Sequence, residues 1–334
     1  MKLRISLFSI LFAAFLVSSA ADPAEYMPQI NGTVRTRWEM LTDDGLHRFQ
    51  VRNARLSVSG KIAPFADYFM QADMCDRGKI KALDYWGRLT LAPRFQFRMG
   101  QFRQPFGVDA FRGPHQYLFA NRSYMAKQMC NMRGVGAELS YTLPSLPLNF
   151  KASAFNPEGI GDHEVWHRAM SFAGKATLTL RNVTFSPGIM SMVPDSIRIN
   201  LLDFSTSWKS GGWIVEGEYM HKHYTDGRTN GCHGYLLFAS YAHPMSNSIF
   251  NRWSLQGRFD GMTAHSNGKR DADGLLKTTD PARNRITVGG TLSYIKGSRF
   301  VDLRLNYEKM FFHHDVTAPA GEGDKVVAEM VLRF

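Results

Sequence analysis

The sequence predicts an all-β protein, a transmembrane antiparallel β-barrel of about sixteen strands whose long third loop constricts the pore. Three observations carry that expectation. Apolar and polar residues alternate with a period of two along most of the chain. Its connections alternate between short and long, and its first residues form an export segment.

In the export segment, Lys2 and Arg4 form the positive end, residues 5–17 the apolar stretch, and Ser18-Ser19-Ala20-Ala21 a small-residue cleavage site. Residues 1–21 are therefore expected to be cleaved, leaving 22–334 as a single barrel domain. No Cys adjoins the site, which argues against lipid attachment. Further on, no apolar run approaches the ~20 residues of a membrane helix, whereas a barrel needs only every second residue to be apolar.

The formal charge is +11, or +9 without Lys2 and Arg4, and the basic residues are spread singly along the alternating segments. In an exported protein this points to anionic solutes or an anionic membrane surface. There is no basic block or aromatic RNA motif, so nucleic acid is not an expected partner. Cys75, Cys130 and Cys232 are odd in number and irregularly spaced, which suits neither a disulfide framework nor a metal site.

In chain order, the expected lipid-facing positions begin with Val34, Thr36 and Trp38, then Ala54, Leu56, Val58 and Gly60, then Tyr68, Met70, Ala72 and Met74. Next come Leu83, Tyr85, Leu89 and Leu91, followed by Phe95, Phe97 and Met99, then Val135, Ala137, Leu139 and Tyr141. Leu148, Phe150, Ala152 and Ala154 precede Met170, Phe172, Ala176, Leu178 and Leu180. Weaker strands are expected over 183–193, 197–208 and 213–223. The pattern is clear again at Tyr235, Leu237, Ala239 and Tyr241, at Trp253, Leu255 and Phe259, and at Ile286, Val288, Leu292 and Tyr294. Val301, Leu303, Leu305 and Tyr307 lead to a closing strand with Val326, Ala328, Met330, Leu332 and Phe334 on one face. A strand ending on an aromatic residue resembles the terminal signal by which barrel-assembly machinery recognises outer-membrane barrels.

Half-buried soluble strands alternate too, so the connections decide. Short links near 64, 93, 144–147, 181–182, 209–212 and 296–298 alternate with long polar ones at 41–47, 103–133, 156–168, 225–232, 262–284 and 312–324. Short turns on one rim and long loops on the other are the outer-membrane pattern, broken only at 194–196. Trp38, Tyr68, Trp86, Tyr141, Trp253, Tyr294 and Tyr307 are candidates for interfacial aromatic girdles.

Residues 49–74, with Phe-Gln-Val-Arg-Asn-Ala-Arg-Leu-Ser-Val-Ser-Gly-Lys-Ile and then Phe65-Ala-Asp-Tyr-Phe-Met-Gln-Ala-Asp, resemble the phosphate-selective porin O and P family. So do Gly100-Gln-Phe-Arg-Gln-Pro-Phe-Gly107, Asn121-Arg-Ser-Tyr and Arg133-Gly-Val-Gly136. The resemblance implies a homotrimeric outer-membrane channel with a constricting third loop, passing small anions such as phosphate or polyphosphate and contacting membrane lipid and lipopolysaccharide.

The 103–133 loop sets Arg103, Arg112, Arg122, Lys127 and Arg133 against one acid, Asp109. Its aromatics (Phe106, Phe111, Tyr117, Phe119, Tyr124) give it apolar surface to pack inward. Packed inside a barrel, its basic groups would line an anion-binding constriction, since a guanidinium fork donates two parallel hydrogen bonds to one oxyanion. Arg35, Arg37, Arg98 and Arg258 are expected on the lumen wall, among mixed charges that also pair with one another.

Two enzyme readings compete with the channel. His163-Glu164-Val165-Trp166-His167 matches H-E-x-x-H, but that zinc site needs a helix and a third ligand, and the stretch lies in a loop. His265 and Ser266 suggest an outer-membrane lipid hydrolase, yet adjacent residues of a strand point to opposite faces. His221, His223, His313 and His314 read as rim or loop residues. The expectation is thus a channel with no catalytic residue, metal or cofactor; a lipid hydrolase and a structural or partner-binding barrel are the alternatives.

Overall fold

Sixteen strands form, and each pairs with its sequence neighbours until the last meets the first. The computed structural model describes residues 23–334 except 77, 131, 196, 247–248, 267, 314–318 and 320, so the export segment and His314 lie outside the described residues. In order the strands are β1 (Gln29–Leu41), β2 (His47–Ala63), β3 (Ala66–Asp76), β4 (Lys79–Ala92), β5 (Phe95–Arg103) and β6 (Arg133–Thr142). Then come β7 (Leu148–Phe155), β8 (Ser171–Leu180), β9 (Val183–Asp195), β10 (Ile197–Ser210) and β11 (Trp213–Tyr224). The remainder are β12 (Cys232–Pro244), β13 (Arg252–Met262), β14 (Arg283–Lys296), β15 (Arg299–Phe312) and β16 (Lys325–Arg333). Every pair is antiparallel, and β1 closes on β16 from Thr33↔Arg333 to Leu41↔Lys325. Closure leaves no strand edge, the condition for a sheet to stand in hydrocarbon.

The closing pair shows why the alternation has its sign. Arg35, Arg37 and Glu39 of β1 are buried, as are Val327, Glu329 and Val331 of β16, and these face inward. Val34, Thr36 and Trp38 pair with Leu332, Met330 and Ala328 on the outer face. Further round, Leu255, Val288, Leu303 and Leu305 are exposed on that face, which lipid rather than water would cover.

Two expected orientations are corrected. Asp84 pairs with Gln71 and Ala82 with Ala72, so Leu83 is the extra residue of a β-bulge. It is buried rather than lipid-facing, and its carbonyl accepts a 2.7 Å hydrogen bond from Gln101 Nε2. Trp86 lies on the lumen face rather than in an outer girdle: it stacks on Phe69 at 5.5 Å, beneath the guanidinium groups of Arg88 and Arg98.

One rim has short links, among them the two-residue turn Gly211–Gly212, whose φ values of 56° and 85° suit a hairpin turn closed to most other residues. The opposite rim carries the longest connections, at 104–132, 156–170, 263–282 and 313–324. The 41–47 link, expected to be long, is only 42–46.

At the short-turn rim Phe334 packs on Gly32, with backbone hydrogen bonds of 2.9 and 3.2 Å joining the two residues. A Cβ on Gly32 would lie 2.1 Å from the Phe334 ring, so only glycine admits it. Gly32→Val should expel the ring, lower folded stability by about 1–3 kcal/mol and reduce assembled barrel. Gel mobility after graded heating measures this, and an unchanged melting point would remove Phe334 from the closure.

Candidate pore constriction

The third loop, 104–132, enters the barrel through the Gly100–Gly107 motif. Gly100 has φ 136°, and a Cβ there would sit 2.2 Å from the Tyr85 carbonyl oxygen, so the turn of β5 at this point requires glycine. Beyond the turn Phe102, Arg103, Gln104 and Phe106 are all buried. Gln104 accepts from Ser153 Oγ at 2.9 Å and donates to the Gly134 carbonyl at 3.3 Å, fixing the loop's two ends together. Gly107 has φ 76° and lies against Met220 and Cys130.

Across the lumen, wall side chains hold the loop by its backbone. Arg304 donates to the Tyr117 carbonyl (2.6 Å), Gln256 to Leu118 (2.9 Å), Arg35 to Ala120 (2.7 Å), Arg258 to Asn121 (2.7 Å) and Arg285 to Arg122 (2.5 Å). Asn306 accepts from the Ala120 N–H at 2.7 Å. The arginines are themselves paired: Arg35 and Arg304 share Glu329, and Arg285 contacts both Asp260 and Glu308. Buried ion pairs persist when their spare donors and acceptors are also satisfied, and here the loop carbonyls supply acceptors.

Acids bind the loop's amides in turn. Glu218 accepts from the N–H groups of Val108 (2.6 Å) and Asp109 (3.0 Å), and Asp260 accepts from Tyr124 N–H at 2.8 Å. Asp109 accepts from Ser123 N–H (3.0 Å), Ser123 Oγ (2.7 Å) and Arg112 (2.8 Å). Ser123 also caps a short helix, α1 (Tyr124–Gln128), accepting from Ala126 N–H. Burial opposes ionisation of Asp109, but the charges of Arg112 and Arg258 and the Ser123 hydrogen bonds outweigh it and hold the carboxyl down at about 2.

The loop's other face is apolar. Phe106, Phe119, Met125, Met129 and Cys130 pack on inward-facing Met190, Leu201, Met220, Leu236, Phe238 and Met262 of β9 to β13. That stretch of lumen wall is a hydrophobic core, and the flexible thioethers of its methionines fill irregular gaps between loop and sheet.

The sequence-predicted basic residues thus fall into two groups. Arg35, Arg37 and Arg258 are tied to the loop, Arg37 through Asn121 Oδ1 at 2.8 Å. Arg103 donates to the Ala110 and Arg112 carbonyls, Arg112 pairs with Asp109 and Glu216, and Arg133 pairs with Asp84. Arg122 lies 5.0 Å over the Tyr117 ring, and Lys127 is exposed beside Glu322. Only Arg98 joins a different constellation.

On β4 to β8, Arg88 stands directly opposite Arg98, and Lys151 directly opposite Lys175. Arg98 pairs with Glu138 at 2.7 Å and Arg88 with Asp67 at 3.0 Å, while Lys151 makes no ion pair among the described residues. Lys175 donates to the Gly107 carbonyl and lies 5.3 Å over Phe111, where the ladder meets the loop. Like charges directly opposite on neighbouring strands are destabilising; Asp67 opposite Arg88 and Glu138 opposite Arg98 offset this for the arginines, whereas Lys151 and Lys175 lie in a separate row, where Lys151 faces Ser140 on its other side. The sequence reading missed Lys151 and Lys175; strand parity could have placed both on the lumen face, since their neighbours Ala152 and Ala176 point outward.

The H-E-x-x-H stretch is not helical. His163 Nε2 meets Gln101 Oε1 at 3.0 Å, and His167 Nε2 meets Asp162 Oδ1 at 2.7 Å, so both rings serve the 156–170 loop. His265 sits in an isolated bridge with Asp280.

Asp260→Asn should strand the guanidinium groups of Arg258 and Arg285, destabilise the barrel by about 3–5 kcal/mol and loosen the loop. Increased protease cleavage within 104–132 and noisier single-channel current are expected, and unchanged cleavage would refute the clamp. Because the Asp109 carboxyl is held below its ordinary 3.8, its contribution is complete above about pH 4 and is lost as pH falls toward 2. Loop protection should therefore persist at pH 4.5 and fail near pH 2, and Asp109→Asn should remove that acid step.

Residues 39–178 match the family model for phosphate-selective porin O and P. No curated protein matches the chain. Among solved structures, an anion-selective porin from Comamonas acidovorans is 13% identical with TM-score 0.64, covering 92% of this chain and 99% of its own. The outer membrane channel DcaP of Acinetobacter baumannii is 11% identical with TM-score 0.64, covering 95% and 100%. The trimer form of OmpT, an outer membrane protein of Vibrio cholerae, is 8% identical with TM-score 0.55, covering 92% and 98%. The chain has the closed antiparallel barrel fold of these outer-membrane proteins, and its residues 39–178 are similar to the phosphate-selective porin O and P family.

Proposed function

We propose that the barrel is a passive diffusion channel preferring small anions such as phosphate or polyphosphate. The observation that carries this reading is the cluster of Arg88, Arg98, Lys151 and Lys175 on the lumen face of β4 to β8, in which Lys151 stands directly opposite Lys175 and makes no ion pair among the described residues. In a narrowed, low-dielectric lumen such a cluster lowers the entry barrier for anions and raises it for cations. No bond is made or broken; solutes move down their gradients. The anion-selective porin of similar fold and the family match over 39–178 support the same reading.

Export by a cleaved 1–21 segment, insertion by barrel-assembly machinery, contact with lipopolysaccharide and assembly as a homotrimer accompany this function. The trimer draws support from the trimer form of the Vibrio cholerae relative in fold. The loop arginines act mainly by shaping the constriction, because their charges are met by Asp109, Glu216 and Asp84.

Reversal potentials in planar bilayers under a salt gradient test this proposal. The unaltered channel should favour anions, and Lys151→Glu with Lys175→Glu should reduce that preference severalfold or invert it while the barrel still assembles. Cation preference in the unaltered channel, or an unmoved reversal potential in the double variant, would sink the reading.

A further inference from the structure

Beyond the far end of the third loop, away from the basic cluster, lies a cavity of about 270 Å³. It opens between the end of α1, the long-loop ends of β9 to β11 and the 263–282 connection. One wall is apolar, built by residues such as Met192, Ile199 and Leu276. The other presents Lys222, Tyr224 and His265.

That polar wall is unusually short of partners. Lys222 is 7% exposed, lies 4.8 Å over the Tyr224 ring and reaches the Ser266 carbonyl only at 3.5 Å. It makes no ion pair among the described residues. A buried ammonium is costly without a counter-charge. Tyr224 fixes the same carbonyl with a 3.2 Å hydrogen bond. His265 is 2% exposed, and its backbone pairs with Asp280 through bonds of 3.0 and 3.1 Å. Its Nε2 lies 3.5 Å from Asp280, but its buried Nδ1 has no hydrogen-bond partner among the described residues. Burial, then the Lys222 charge, push the imidazole down to about 4, so it is neutral at pH 7 and leaves Lys222 as the cation of the pocket.

We infer that this cavity binds a small organic carboxylate with an apolar body, about the size of benzoate. The carboxylate would supply the counter-charge for Lys222 and accept a hydrogen bond from its ammonium. The apolar body would lie against Met192, Ile199 and Leu276, removing its surface from water. Inorganic phosphate fits less well, because its remaining charged oxygens would face thioether and aliphatic carbon. Neither wall includes Arg88, Arg98, Lys151 or Lys175, so the site is distinct from the proposed conduction cluster.

Isothermal titration of the purified, folded barrel in detergent with benzoate, benzyl alcohol and inorganic phosphate tests the inference. Benzoate should bind at least about tenfold more tightly than either of the others. Lys222→Met should weaken benzoate binding about tenfold or more. Leu276→Trp, which fills the cavity without altering a charge, should do the same. Equal binding of benzyl alcohol, preferential binding of phosphate, absence of benzoate binding, or full benzoate binding in both folded variants would overturn it. If either variant fails to fold, the comparison of the three probes on the unaltered barrel still decides.

Discussion

Five backbone carbonyls between Tyr117 and Arg122 leave water when the third loop enters the barrel, and each would be costly if it met no donor. The wall answers with four guanidinium groups and one amide, each placed by the inward parity of its strand. Those guanidinium groups are in turn too costly to bury alone, so Glu329, Glu308 and Asp260 lie beside them. Loop, arginines and acids are therefore mutually required. Removing a carboxylate strands cations, and removing the loop strands both.

This interdependence gives the family-like motifs a structural meaning. Gly100 lets β5 turn inward against Tyr85, Gln104 ties the loop's start to its end, and Asn121 to Tyr124 form its fastened tip. Arg133, just after the loop, anchors to Asp84, itself held inward by the bulge at Leu83. The residues that carry the resemblance thus build the constriction. They fix where the lumen narrows.

The lumen consequently has two electrostatic characters. On the loop side, arginine and carboxylate alternate so closely that their fields largely cancel beyond a few ångströms. On β4 to β8, Arg88 and Arg98 are likewise met by Asp67 and Glu138, but Lys151 beside Lys175 leaves like charges as neighbours. A like-charge pair of that kind is the sort of local conflict a fold tolerates at a working surface. Between the two, the methionine-rich packing of β9 to β13 keeps the loop's apolar face dry and gives it a fixed seat.

The period-two alternation by itself determined a closed barrel of sixteen strands and the face of nearly every residue, because parity is a local property of an extended chain in lipid. Leu83 and Trp86 escaped it, one through a bulge and one because an aromatic ring suits a lumen as well as a girdle. Length and aromatic content likewise marked 103–133 as a loop that packs. What sequence could not settle was which basic residues are neutralised. Arg35 meets Glu329 across 294 positions, Arg112 meets Glu216 across 104, and Lys151 meets Lys175 only through strand register. Such pairings exist only after closure brings distant strands together, and they decide whether a charge serves the fold or remains available to a solute.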